Sequence, residues 1–171
     1  MKIIKKVFSG WIIPIVAALI ISLVIRKFVF FNIIVPTESM FPTIMIGDRI
    51  SVTRIYNKDK LKRGDIVVFH SDELKMDLVK RLIGLPGDKI EVKEDGSVYV
   101  NSDKLDEPYV SSGAVKFGDF KVPAESFFFL GDNRQVSKDS RYWDNPYINE
   151  RDIMGVARIT IFPINRFSIL K

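Results

Sequence analysis

Nineteen consecutive residues, Val7 to Ile25, carry no charged side chain and are interrupted only by Ser9, Gly10, Pro14 and Ser22. A helix rising 1.5 Å per residue makes this run about 28 Å long, close to the roughly 30 Å hydrocarbon layer of a bilayer. The run is apolar all round, unlike the one-sided stripe of a surface helix in a soluble domain. Lys2, Lys5 and Lys6 precede it, and Arg26 and Lys27 follow it. A cleaved leader would end in a small-x-small pair; here the run is followed by Arg26-Lys27-Phe28. The expectation is a retained anchor over 7–25, with Pro14 near its start, where a helix tolerates proline. Residues 1–6 then form a short tail, and residues 28–171 a separate domain. Three lysines before the run against two basic residues after it favour a cytoplasmic tail and an extracytoplasmic domain.

The formal charge of +5 changes meaning once it is located. All of the excess lies in the anchor's flanks, since residues 1–27 hold five basic and no acidic side chains. Residues 28–171 hold equal numbers of both. A domain that binds phosphate backbones shows a basic excess, so nucleic acid is not an expected partner. The absence of Cys removes disulfides, thiolate metal sites and a cysteine nucleophile, and the one histidine, His70, removes His-pair metal sites.

Beyond the anchor the chain reads as successive strands. Phe28–Val35, Arg49–Tyr56, Asp65–His70, Leu78–Ile83, Phe127–Leu130 and Val156–Phe162 are rich in β-branched and aromatic residues. Lys89–Lys93 and Ser97–Val100 flank Asp95-Gly96, a hairpin signal, and Lys104–Val110 reads as a further strand. A helical turn is expected only at Asn149–Ile153, with Asn149 as its cap. Ser111–Lys121, with Gly113 and Gly118, reads as a mobile excursion without an assigned role. The expected fold is mainly β, two antiparallel sheets or a barrel-like pair, behind a single transmembrane helix.

Three side chains are candidates for chemistry. Ser39 stands between Pro36 and Pro42, which fix the backbone around one hydroxyl, although an ordinary turn has the same local pattern. A serine nucleophile needs a base. His70 runs into the polar turn Ser71-Asp72 and reads as an exposed loop residue. Lys80 lies in Leu78-Val79-Lys80-Arg81-Leu82-Ile83, where alternation puts Lys80 and Arg81 on opposite faces. Either one cation enters an apolar environment, which would lower the pKa of a lysine, or the strand lies at an edge and both snorkel.

Four segments together resemble the bacterial type I signal peptidases. Pro36-Thr37-Glu38-Ser39-Met40-Phe41-Pro42-Thr43 is similar to their nucleophile box, P-S-G-S-M-x-P-T. Arg63-Gly64-Asp65-Ile66-Val67-Val68-Phe69 is similar to the second box. Lys80-Arg81-Leu82-Ile83-Gly84-Leu85-Pro86-Gly87-Asp88 resembles the box of the lysine base. Gly131-Asp132-Asn133-Arg134, continuing to Ser137, Asp139, Ser140 and Arg141, resembles the last box. The boxes occur in family order behind one anchor, as in the short, single-anchor form.

The resemblance implies a signal-peptidase-like β domain on the outer face of the cell membrane that removes signal peptides from secretory preproteins, next to membrane phospholipid. It implies a Ser/Lys dyad working through an acyl-enzyme, with Ser39 as nucleophile and Lys80 as base, and it requires no metal or other cofactor. Ser137 would hydrogen-bond Lys80, Asp139 and Arg141 would pair, and Asp132, Asn133 and Arg134 would be supporting residues. Shallow pockets for small residues at P1 and P3, as in Ala-x-Ala, would be lined by Ile33, Val35, Pro36, Met40 and Ile44, with Asp77, Leu78 and Val79. The chain departs from the family at Thr37 and Glu38, where Ser and Gly are usual. Thr37 keeps the hydroxyl that the family directs at the oxyanion; Glu38 adds a carboxylate. A narrower peptidase of the same superfamily, a self-cleaving repressor-type protease and a non-catalytic tethered β domain stay open as alternatives.

Overall fold

The computed structural model describes residues 2–110 and 116–170. Helix α1, Lys2–Phe28, contains the span Gly10–Phe28, of mean hydropathy 2.1, none of it buried against the rest of the chain. The helix outruns the apolar stretch at both ends, because lysine and arginine end hydropathy but are good helix formers. Pro14 therefore stands inside the helix rather than near its start, and its missing N–H leaves the Gly10 carbonyl without an i+4 donor. Phe28, expected to open a strand, closes the helix.

The eight-stranded sheet contains β1 (Phe30–Ile34), β2 (Arg49–Arg54), β3 (Ile66–Ser71) and β4 (Met76–Gly84). The next four strands, β5 (Lys89–Val92), β6 (Val98–Val100), β7 (Asp103–Lys104) and β8 (Gly118–Lys121), form the second sheet. The chain then returns with β9 (Ser126–Leu130), β10 (Ile148–Asn149), β11 (Ile153–Phe162) and β12 (Ser168–Ile169). The large sheet runs β1-β2-β11-β3-β4-β9-β10, with β12 paired to β11; the small one runs β7-β6-β5-β8. All ladders are antiparallel, so the expected pair of sheets is what forms.

Two expectations need correction. The strand expected over Lys104–Val110 pairs only at Asp103–Lys104, because Pro108 has no N–H to give a ladder and the flanking Glu107 and Tyr109 turn toward buried arginines. The excursion expected over Ser111–Lys121 ends in β8, which pairs with β5 from Val92↔Gly118 to Lys89↔Lys121. Residues 111–115 lie outside the described residues. The turn at Asn149–Ile153 is a 3-10 helix over Glu150–Asp152, and the Asn149 side chain accepts from the Arg151 N–H at 3.1 Å, as a cap should.

Alternation along β9 sends its side chains into two cores, one on each face of the sheet. Phe127 and Phe129 pack with Phe69, Leu82 and Trp143, while Phe128 and Leu130 pack the other way, with Ile83, Ile90 and Val98. The Phe69 and Phe129 rings stack at 4.4 Å. Strand β4 lies between β3 and β9 and is buried from Val79 to Gly84. A third core, built on Val35, Met40, Ile44, Val68 and Val79, lies behind the segment that leaves β1.

Candidate active site

The segment after β1 leaves the sheet at Val35, which exchanges backbone hydrogen bonds with Asp48 (3.0 Å) and Gly47 (2.8 Å). It then folds on itself: Phe41 N–H donates to the Glu38 carbonyl at 3.0 Å and Ile44 N–H to that of Met40 at 2.9 Å. Met40 and Ile44 are fully buried and hold this turn to the core. Ser39 is thereby presented toward β4. There Lys80 Nζ donates to Ser39 Oγ over 2.5 Å, and the Thr37 hydroxyl lies 3.3 Å from the same oxygen.

Lys80 and Arg81 are both buried, so neither snorkels; β4 is flanked by β3 and β9 from Arg81 on, while residues 76–80 are paired on the β3 side alone. Burial lowers the Lys80 pKa to about 8, against the Asp139 and Asp132 carboxylates, which raise it. Near that pH a large share of the amine is neutral and carries a lone pair able to accept the Ser39 proton. His70, in contrast, is half-exposed on β3 rather than in a loop. Its Nδ1 lies 2.8 Å from Asp77 Oδ1, and that hydrogen bond, foremost, raises its pKa. Among the described residues its ion-pair and hydrogen-bond partners are Asp77 and Asp72, not Ser39 or Lys80.

The last box closes around Ser39 and Lys80 from behind. Asp132 takes the Arg81 guanidinium on both oxygens, at 2.8 and 2.7 Å, and also accepts the Thr43 hydroxyl at 2.5 Å. One carboxylate thus ties Arg81, next to Lys80, to the turn that carries Ser39. Asn133 N–H donates to the Ser39 carbonyl at 3.1 Å, and its side chain to the Glu38 carbonyl at 3.3 Å. Asp139 and Arg141 form the expected buried pair at 2.8 Å, while Asp139 also accepts the Gly131 N–H at 3.0 Å. Arg134 bonds the Gly131 carbonyl and pairs with Glu107.

The hydrogen bond expected between Ser137 and Lys80 is not formed. The Ser137 hydroxyl is buried and has no hydrogen-bond partner among the described residues. It fills the space that a side chain at 131 would take, 2.2 Å from where a Cβ would stand, with the Ser39 carbonyl 2.5 Å from the same point. Glycine is required at 131 because this loop and the turn carrying Ser39 meet there without room for a methyl group.

A cleft of about 300 Å³ opens beside Ser39 and Lys80. Ile33, Val35, Pro36 and Thr37 form one wall, and Asp77, Leu78 and Val79 the other, with Ser39 and Lys80 between them. Met40 and Ile44, expected to line it, instead pack behind it in the core, because the turn at 38–44 directs them inward. Ile34, Val68 and Met76 join the lining unannounced by any motif. Sequence reasoning also missed Thr43, Glu107 and Tyr109, whose ring lies 3.7 Å from the Arg81 guanidinium. The available signal was Glu107-Pro108-Tyr109 itself, an acid and an aromatic where a strand should have continued. Among the described residues no group of His, Asp or Glu side chains is arranged to hold a metal ion.

Comparison with known proteins places this arrangement. The family described as signal peptidase, peptidase S26, matches residues 8–162. Signal peptidase I P of Bacillus subtilis subsp. natto is 41% identical over 175 residues, covering 95% of this chain and 93% of its own. Signal peptidase IB of Staphylococcus aureus is 38% identical over 183 residues, covering 95% and 94%. The crystal structure of a signal peptidase I from Enterococcus faecalis V583 superposes with a TM-score of 0.51 at 31% identity, across 57% of this chain and 96% of its own.

Proposed function

The chain belongs to the signal peptidase family, peptidase S26, and from that membership we propose a Ser39/Lys80 dyad that cuts preproteins after Ala-x-Ala through an acyl-enzyme. Membership itself makes the chain a serine endopeptidase acting on signal peptides, with one apolar helix that fits a single membrane span. The observation that carries the finer reading is the 2.5 Å contact of Lys80 Nζ with Ser39 Oγ at the base of an apolar cleft.

In this reading an extended stretch of preprotein lies between the walls 33–37 and 76–79, adding backbone hydrogen bonds to strand-like edges. Neutral Lys80 takes the Ser39 proton as Oγ attacks the scissile carbonyl. The Ser39 N–H and the Thr37 hydroxyl stabilise the oxyanion of the tetrahedral intermediate. The Lys80 ammonium returns its proton to the leaving amine as the C–N bond breaks, and the mature chain departs. Lys80 then takes a proton from water, which attacks the ester; the signal peptide leaves with a carboxylate and Ser39 regains its proton. Lining residues of moderate size leave shallow pockets, which fits small side chains at P1 and P3.

The domain sits outside the cytoplasmic membrane in this proposal, with residues 1–6 inside. Its edge next to the cleft presents Ile34, Phe162, Ile164, Phe167 and Ile169 to solvent, in part aligned through the pairings Ile34↔Arg49 and Arg49↔Phe162. This edge is assigned to phospholipid. A series of variants in detergent, assayed on one Ala-x-Ala preprotein, tests the chemistry. Ser39→Ala and Lys80→Ala should abolish cleavage in folded protein. Thr37→Val should lower kcat by about 10²–10³-fold with little change in KM, and Thr37→Ser should stay active. An active Lys80→Ala protein would refute the dyad, and a fully active Thr37→Val the oxyanion role.

A further inference from the structure

Val29 belongs to two hydrogen-bond ladders at once. Its N–H donates to the Ile25 carbonyl at 2.8 Å, a helical bond, and its carbonyl accepts from the Arg54 N–H at 2.8 Å, just ahead of the first registered sheet pair, Phe30↔Thr53. The Phe28 carbonyl, one of the groups a helix end leaves without an internal partner, accepts the Tyr56 hydroxyl at 2.8 Å. The Arg54 guanidinium lies 4.7 Å from the Phe31 ring centroid on the same junction. From there β1 is paired with β2 along its whole length, ending at Ile34↔Arg49. No glycine, proline or charged spacer occurs between Phe28 and Val35, so nothing in the composition of a flexible tether separates anchor from sheet. The chain reaches Ser39 eleven residues after Phe28, a distance of at most about 38 Å even if fully extended.

We propose that this junction is a ruler: anchor and catalytic sheet form one stiff piece, which fixes the offset of the dyad from the bilayer and selects preproteins by the number of residues between their own apolar helix and the scissile bond. The proposal rests on the reading of the chain as a preprotein peptidase. Its substrate shares the bilayer, so the offset of the enzyme's dyad must be matched by an extended polar segment gaining about 3.3 Å per residue. A dyad on a loose tether would sweep a range of offsets and accept a range of segment lengths.

The experiment uses the full chain in phosphatidylcholine/phosphatidylglycerol vesicles, with preproteins whose segment between apolar helix and Ala-x-Ala site is shortened or lengthened by two and four residues. The unaltered protein should show one optimum, with kcat/KM falling about tenfold at four residues from it. Insertion of Gly-Ser-Gly-Ser between Phe28 and Val29 should flatten the profile to within about threefold. Tyr56→Phe, which removes only the hydroxyl on the Phe28 carbonyl, should broaden it in the same direction. A short soluble Ala-x-Ala peptide, which has no membrane segment to measure, should be cut equally by all three. An insertion variant that keeps the original optimum and width, or an unaltered protein indifferent to segment length, overturns the ruler. Failure of the unaltered protein to cut the soluble peptide overturns the peptidase reading instead.

Discussion

A lysine surrounded by apolar strands and two carboxylates is held near its titration point by opposing influences. Burial disfavours the ammonium, while Asp139 and Asp132 favour it, and burial prevails, giving a pKa of about 8. In the proposed mechanism the active form is the neutral amine, so kcat/KM should rise about tenfold per pH unit below 8 and level off above it. His70 titrates through a different contact, the hydrogen bond to Asp77, and His70→Ala should keep this profile. A profile that moves with His70→Ala, or one without a limb near 8, would contradict the assignment. Ser39 and Lys80 were legible only as parts of ordered boxes: proline spacing around Ser39 and alternation around Lys80 each fitted an ordinary turn or an edge strand equally well. Thr43 was not legible, because its hydrogen bond to Asp132 joins positions 89 apart in sequence and leaves no local trace.

Strand β4 brings two cations into the interior side by side, and each is handled differently. Lys80 lowers its charge; Arg81 keeps its own and is met by Asp132 on both oxygens and by the Tyr109 ring on one face. Removing one member of such a buried pair leaves the other uncompensated, so Asp132→Ala should destabilise the fold by about 3–5 kcal/mol. Replacing both by apolar side chains, Arg81→Met with Asp132→Leu, should recover much of that loss, as thermal melting in detergent would reveal. Equal losses in the single and double variants would mean that the pair is not what Asp132 contributes. At this scale the long strands were legible from their β-branched and aromatic runs. β8 was not, since Gly118-Asp119-Phe120-Lys121 carries a single apolar residue and owes its form to pairing with β5. The over-extension of β7 has the opposite cause: Leu105 to Val110 has strand-like composition, but its acid and its ring are drawn to arginines across the fold.

For the whole molecule, the charge distribution decides how the domain meets a membrane. With its excess charge confined to the anchor's flanks, residues 28–171 have no net attraction for anionic lipid. The surface proposed to adsorb is the exposed apolar edge at Ile34, Phe162, Ile164, Phe167 and Ile169. Protein lacking residues 1–27 should therefore float weakly with vesicles, unaffected by raising the salt, and lose that binding on Ile164→Asp with Ile169→Asp. Binding that salt abolishes would point to charge instead. The two-sheet architecture was legible as a class, but which strands flank β4 was not, because long-range pairing order is set by packing rather than by any one segment. The small sheet supplies no atom to the dyad or the cleft. It enters after β4, returns before β9, covers Ile83, Phe128 and Leu130, and hands back Glu107 for Arg134 and Tyr109 for Arg81. A segment of another length that met those few obligations would serve as well. The fold thus separates a covering cassette from the strands that line the cleft.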